Sequence, residues 1–146
     1  MLARIHKSIR EKDAGFTLIE LLVVMIIIGI LAAIAVPVFL SQRAKAVDTG
    51  TKSDVSVVGK EIAAYYVDGT SPLTVTIASD KYSIAQVSGT TAVPLTTGPV
   101  SSGTVVDQSK VVSAENWCVS FSNPKGTNGN NIWQFSVAGL AKGTCP

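Results

Sequence analysis

The chain has 146 residues, of which 47% are apolar and only 15% are charged, and its formal net charge is +2. This length suits one small domain plus one long element. The excess of positive charge lies wholly within residues 1–15, because the rest of the chain carries equal numbers of basic and acidic side chains. We therefore do not expect the protein to bind nucleic acid through bulk positive charge.

Residues 1–15 have the features of a targeting leader. A basic segment in front of an apolar one stays in the cytoplasm, and the remainder of the chain is exported. The small pair Ala14-Gly15 precedes the apolar segment, whereas an ordinary secretory signal has small residues after it. A cut after Gly15 would leave the apolar segment on the mature protein. An uncleaved signal-anchor with a basic flank is the alternative.

Residues 16–40 predict a membrane-spanning helix. Residues 21–40 carry no charge, and 25 helical residues extend ~37 Å, enough to cross a hydrocarbon core of roughly 30 Å. Gly29 and Pro37 weaken this helix, since glycine lowers helix propensity and proline removes a hydrogen bond and bends the axis. One carboxylate, Glu20, lies near the start of the run, where a generic anchor needs none.

The helical pattern continues beyond the apolar run as a one-sided stripe. Its apolar positions recur every three or four residues: Ala44, Val47, Thr51, Val55, Val58, Ile62 and Tyr65 or Tyr66. The charged residues off this stripe include Asp48 and Lys52, a favourable i, i+4 pair. One helix is predicted from about Phe16 to about Val67, and Gly69 is predicted to be its C-cap. Residues 41–69 form its amphipathic half.

Residues 70–146 predict a small antiparallel sheet, so the fold class is α+β. Alternation marks strands at Leu73 to Ile77 and, more weakly, at Tyr82 and Ile84, whereas residues 88–115 are rich in turn signals and stay unassigned. A hairpin is predicted around the loop 123–131. Its aromatic side chains form either an inner face packed on the helix or a nucleic-acid stacking platform: Trp117, Phe121, Trp133 and Phe135.

Cys118 and Cys145 lie in the exported part, where an even count predicts one disulfide. Free buried thiols and a metal pair are the alternatives, but the chain has a single histidine, in the leader, which argues against zinc. Asp107 and Glu115 are isolated, which argues against an acidic calcium loop. No serine or cysteine lies beside an evident base, so we expect no enzyme activity, no metal and no cofactor. The Ser/Thr-rich stretch 88–104 is either glycosylated or a plain loop.

The stretch "GFTLIELLVVMIIIGILAAIAVPVF" resembles the amino-terminal signature of type IV pilins and related pseudopilins. That signature has a glycine before the cut, phenylalanine as the first mature residue, a carboxylate at the fifth mature position and a proline further along. These features fall on Gly15, Phe16, Glu20 and Pro37. The remainder of the chain is similar to the family only in architecture, which is the pilin fold of one long helix, a sheet and a carboxyl-terminal cysteine pair.

The resemblance implies that a prepilin peptidase cuts after Gly15 and methylates the amine of Phe16. It further implies that subunits leave the membrane and assemble through their helices into a fibre with pilus machinery and minor pilins. Glu20 would pair with the Phe16 amine of a neighbouring subunit, and a carboxylate at the membrane edge is the alternative. The stretch from Gly29 to Pro37 would extend in the fibre, or it is an ordinary proline kink.

Three functions follow as expectations. The first is a type IV pilus subunit, which is a single-pass membrane prepilin and then part of a surface fibre. The second is a pseudopilin of a secretion or DNA-uptake machine. The third is a monomeric membrane-anchored binding protein whose sheet domain is a receptor.

Overall fold

A computed structural model describes residues 15–127 and 131–146 of the chain. The predicted leader, apart from Gly15, lies outside the described residues. The chain divides into two compact units, Met1–Phe39 and Leu40–Pro146. One helix, α1, spans Leu18–Tyr65 and contributes residues to both units. Its ends lie within one turn of the predicted limits, so the prediction of a single long helix is confirmed.

The role predicted for Gly69 at the end of α1 is different in the structure. Its amide donates to the carbonyl of Tyr65 at 2.7 Å, which closes the helix. Its backbone is not left-handed, however, as a glycine C-cap usually is. A Cβ at this position would collide with the ring of Tyr65. Glycine is therefore needed here for the space beneath an aromatic ring and not for a positive φ.

The second unit contains a seven-stranded antiparallel sheet in the order β3-β2-β1-β4-β5-β6-β7. The strands are β1 Leu73–Ala78, β2 Lys81–Ser88, β3 Thr91–Pro99, β4 Val105–Ser113, β5 Asn116–Ser122, β6 Trp133–Ser136 and β7 Gly139–Lys142. The sequence predicted β1, β2 and the β5–β6 hairpin, in which Phe121 pairs with Trp133. The α+β class and the antiparallel sheet are thus confirmed.

Two strands occupy the stretch 88–115 that the sequence left unassigned. β3 is an edge strand, and it carries Pro94 and Pro99, which cannot donate to a ladder hydrogen bond. Its pairing with β2 shifts register between Ile84 and Ala85, which leaves an extra residue opposite that point. Prolines and a bulge are common on edge strands, so β3 has the composition of a loop while pairing as a strand.

The core of the second unit forms where the predicted stripe of α1 meets the inner face of the sheet. Val55, Val58 and Ile62 from the helix are fully buried in one cluster with strand residues. Trp117 and Phe121 belong to the same cluster, and Trp133 and Phe135 pack against it. The ring of Phe135 lies parallel to that of Trp117, with centroids 6.0 Å apart. Two of the four aromatic residues are thus buried in the core and the other two pack against it, which agrees with the alternative of an inner face packed on the helix.

The carboxyl-terminal tail is held more firmly than the sequence predicts. Cys118 and Cys145 form a disulfide, as predicted, with Cα atoms 5.8 Å apart. Residues 139–142 also form β7, which pairs with β6 from Trp133 opposite Lys142 to Ser136 opposite Gly139. The Gly143 amide continues this pairing by donating to the Ile132 carbonyl at 2.9 Å. Backbone pairing therefore holds the tail in addition to the disulfide, and such pairing needs little apolar content.

Reduction of this disulfide is expected to lower the free energy of unfolding of the second unit by about 3 kcal/mol, because the cross-link removes loop entropy from the unfolded chain. The two cysteines are 27 residues apart. Chemical unfolding of the full chain in detergent, followed by tryptophan fluorescence with and without reductant, measures the loss. The double variant Cys118→Ala, Cys145→Ala is the control and should not respond to reductant. An unchanged midpoint in the wild type would contradict the prediction.

Tyr82 is buried in the sheet, and its hydroxyl donates to Oε1 of Glu61 at 2.5 Å. Burial first, and then the hydrogen bond and the negative charge of Glu61, raise the pKa of Tyr82 to about 12. An unfolded tyrosine has a pKa near 10, so between pH ~10 and ~12 the folded state holds a proton that the unfolded state has lost. The contribution of Tyr82 to the free energy of unfolding is therefore fully present below pH ~10, and it is lost as the pH rises towards 12.

Alkaline titration of tyrosinate absorbance is expected to show a last ionisation near pH 12 that belongs to Tyr82. The variant Tyr82→Phe should lack this step, and its stability should decline less between pH ~10 and ~12. If wild type and Tyr82→Phe gave the same high-pH titration apart from amplitude, the contact with Glu61 would not control this tyrosine.

Candidate functional site

The apolar part of α1 in the first unit exposes all its side chains. Among the described residues, α1 is the one helix that is both long enough and apolar enough to cross a membrane. None of its most apolar segment is buried. The large side chains from Phe16 to Phe39 are about half exposed or more, with Phe16 at 89%. A contiguous apolar surface of this size requires lipid or other protein around it.

Glu20 takes part in a capping box at the amino-terminal end of this helix. The hydroxyl of Thr17, the residue before α1, accepts the Glu20 amide at 3.3 Å. The Glu20 carboxylate in turn accepts the Thr17 amide at 3.0 Å and the Thr17 hydroxyl at 2.7 Å. These reciprocal bonds satisfy backbone donors that the first turn leaves free. The carboxylate also lies where the helix dipole favours negative charge.

Thr17 is a site residue that the sequence reasoning missed. The signal was present, since a threonine three residues before a glutamate at the start of an apolar run is a capping-box spacing. Its presence gives Glu20 a role within its own chain, in addition to any pairing between chains. The capping box therefore lies directly after Phe16, whose nitrogen becomes the chain terminus if Gly15 is removed.

Gly15 has no structural reason to be glycine within the described residues. A Cβ on Gly15 would meet nothing within 4 Å. Cleavage after Gly15 by a processing enzyme stays a prediction.

Gly29 and Pro37 lie within α1, and the helix continues through both. A Cβ on Gly29 would also meet nothing within 4 Å. Pro37 has no amide to donate, so the helix lacks one backbone bond at this turn. These two residues are separated along the helix from the group formed by Gly15, Phe16, Thr17 and Glu20. Whether this stretch extends in an assembled fibre stays a prediction.

Carboxylates of α1 in the second unit bind the loops of the sheet, which the sequence did not predict. Asp54 accepts the Ser101 amide at 2.8 Å and the hydroxyl of buried Thr104 at 3.0 Å. Asp48 binds the loop after β5, and the ammonium of Lys52 lies 4.9 Å from the ring centroid of Trp133.

Within residues 15–127 and 131–146, no group of three His, Cys, Asp or Glu side chains could hold a metal ion.

Comparison with known proteins assigns the amino-terminal segment. A family profile described as the prokaryotic N-terminal methylation motif matches residues 10–36. The chain is 41% identical over 59 residues to the type II secretion system core protein G of Pseudomonas aeruginosa. It is 45% identical over 47 residues to the type IV major pilin protein PilA of Myxococcus xanthus. The amino-terminal segment therefore carries the methylation motif and is similar to the corresponding segments of type IV pilins and pseudopilins.

The similarity to individual pilins and pseudopilins covers only part of each protein. The match to the secretion protein covers 40% of this chain and 42% of the relative, and the match to the pilin covers 32% and 21%. A competence protein, ComGC of Halalkalibacterium halodurans, is 36% identical over 56 residues, which cover 38% of this chain and 55% of the relative. The chain thus spans about two-fifths of the length of the secretion relative. No solved structure matches the chain.

Proposed function

We propose that the protein is a structural subunit of a type IV pilus, made as a membrane-inserted prepilin and assembled through α1 into a surface fibre. The observation that carries the proposal is the apolar part of α1, whose side chains are all exposed and whose first turn contains Glu20 in a capping box. The helix needs a membrane before assembly and other helices after it. A fibre of identical subunits supplies those helices, so no cofactor is required.

In this proposal the prepilin peptidase removes residues 1–15 and methylates the new amine of Phe16. Residues 16–40 then form the membrane and fibre-core half of the helix, residues 41–69 form its amphipathic half, and residues 70–146 form the head domain. Before assembly the leader is cytoplasmic and the head domain is outside. Pilus assembly machinery and minor pilins are the further partners.

Glu20 would set the register of assembly. A carboxylate inside a fibre core must be paired, because an unpaired buried charge is strongly destabilising. The amine of Phe16 on a neighbouring subunit is a cation that cleavage creates one helical turn from Glu20. A subunit inserted out of register would leave both charges unpaired. While the subunit waits in the membrane, Thr17 supplies hydrogen bonds to the Glu20 carboxylate.

Electron microscopy of cells with and without the gene tests the proposal. Fibres present in the wild type, absent in the deletion and restored by the gene are the expected result. Gel mobility in a strain lacking the prepilin peptidase provides the second measurement, since the precursor should migrate more slowly than the processed chain. Equal mobility in both strains would favour a permanently anchored, monomeric binding protein.

A pseudopilin is the second candidate, favoured by the similarity to proteins named for type II secretion and competence. This reading shares the processing and the packing of helices but gives a short fibre within a transport machine. A deletion strain that loses protein secretion or DNA uptake, when the wild type has no surface fibres, would select this candidate over the pilus subunit.

A further inference from the structure

A small groove lies at the start of the second unit, immediately after the apolar run. Its lining residues are Leu40, Arg43, Ala44, Val47 and Lys125. Leu40 is the last residue of the apolar run, and Arg43 is the first charged residue after it. Lys125 comes from the loop that joins β5 and β6. Two basic side chains from distant parts of the sequence therefore line the same groove as apolar side chains of the helix.

The loop that carries Lys125 has a defined turn. The Gly126 amide donates to the Asn123 carbonyl at 3.0 Å, and Pro124 occupies the second position, where its fixed φ favours the turn. Asn123 is 1% exposed, and its side chain donates to the Ser102 carbonyl at 3.1 Å and accepts the Lys125 amide at 3.1 Å. The backbone of Lys125 is thus held in place while its side chain stays exposed.

Asp48 fastens the same loop to α1. Its carboxylate accepts the Thr127 amide at 3.2 Å and the side-chain amide of Asn131 at 2.5 Å. A Cβ on Gly126 would collide with this carboxylate, so glycine permits the approach. The Asp48 carboxylate therefore faces the Thr127 amide and the Asn131 side chain. The lining of the groove itself contains no carboxylate.

We propose that this groove binds the phosphate group of an anionic phospholipid, in the leaflet reached by the carboxyl-terminal end of the apolar run. The inference rests on the membrane-inserted stage of the proposed function. Arg43 and Lys125 supply the donors, since guanidinium and ammonium groups are both phosphate binders. Leu40, on the membrane side of Arg43, lies against the apolar part of the lipid, and the position next to the apolar run places the groove at headgroup depth.

The binding would stabilise the turn at residues 123–126 before the subunit is assembled. Each cation near an anionic membrane surface contributes an attraction equivalent to about fivefold in an equilibrium constant. Opening of the loop breaks these contacts, so it should become rarer by about that factor per cation. The attraction should disappear at about 1 M salt, where the Debye length is about 3 Å.

Hydrogen exchange of the full chain in vesicles tests the inference. One set of vesicles contains phosphatidylcholine alone, and the other contains phosphatidylcholine mixed with phosphatidylglycerol. Amides at 125–127 are expected to exchange at least about fivefold more slowly in the mixed vesicles at low salt. Arg43→Gln and Lys125→Gln should each reduce this difference. Lys60→Gln is the matched control, because it removes a cation from the same helix ~25 Å further along, and it should leave the difference intact.

Equal exchange in the two lipid mixtures would overturn the inference, as would a difference that persists in the variant Arg43→Gln, Lys125→Gln. Protection that appears in phosphatidylcholine alone and rises with the ratio of protein to lipid would also overturn it, because the groove would then bind a second copy of the chain. Extraction of the vesicles with alkaline carbonate separates the two proposals. A chain that is extracted was never inserted, and the proposed function fails, whereas an inserted chain with no lipid dependence contradicts the groove alone.

Discussion

Chains that carry Gly15→Val are expected to remain at the full precursor length in the membrane and to form no fibres. A cut after residue 15 requires the peptidase to accommodate that residue, and a branched side chain should obstruct a site that accepts glycine. The described residues offer no steric reason for misfolding, because a Cβ at Gly15 would touch nothing within 4 Å among them. Loss of cutting would therefore reflect recognition and not misfolding. Gel mobility and intact mass of membrane and surface fractions measure it.

Gly29→Val is the matched control for this experiment. It makes the same substitution in the same unit, again at a position where a Cβ would meet nothing within 4 Å. It should be cut normally. The prediction is wrong if Gly15→Val protein on the cell surface begins at Phe16, or if both variants are left uncut.

Glu20→Gln is expected to be inserted and cut but to reduce assembly by roughly tenfold or more, because the unpaired amine of a neighbouring Phe16 would then be buried in the fibre core. Glutamine retains an acceptor oxygen and can serve in a capping box, so this variant removes charge while keeping the helix start. Thr17→Ala is the complementary variant, because it removes the side chain that caps the helix with Glu20 and leaves the Glu20 carboxylate in place. The fibre yield from strains that express only one variant gives the comparison.

The two variants separate the two roles of Glu20. If register depends on charge, Glu20→Gln should assemble far less well than Thr17→Ala. Glu20→Ala, which lacks both the charge and the acceptor, should assemble no better than Glu20→Gln. Wild-type fibre yield from Glu20→Gln, together with poor yield from Thr17→Ala, would show that capping of the helix matters and would reject the charge pairing.

Much of the fold could be predicted because periodicity records which face of an element is buried. The stripe through Val55, Val58 and Ile62 predicted both the helix and its buried face. Alternation around Phe121 and Trp133 predicted a hairpin whose pairing the structure confirms. The long helix was predictable for a further reason, since residues 21–40 carry no charge and their pattern continues into the stripe without a turn signal.

The features that sequence could not give depend on neighbours that are distant along the chain. β3 contains two prolines and lies at an edge, so it lacks the pattern of a half-buried strand. β7 is short and partly polar, and it is recognisable only from its pairing with β6. The contacts of Asp48 and Asp54 with loops more than 40 residues away leave no local pattern at all. Thr17 is different, because its spacing to Glu20 was readable and was overlooked.

The intact mass of the protein sheared from the cell surface tests the central account most directly. The account predicts a chain that runs from Phe16 to Pro146, carries one methyl group on its terminal amine and retains the Cys118–Cys145 disulfide. A surface protein that begins at Met1, or one that begins at Phe16 but is released as monomers and never as fibres, would contradict it.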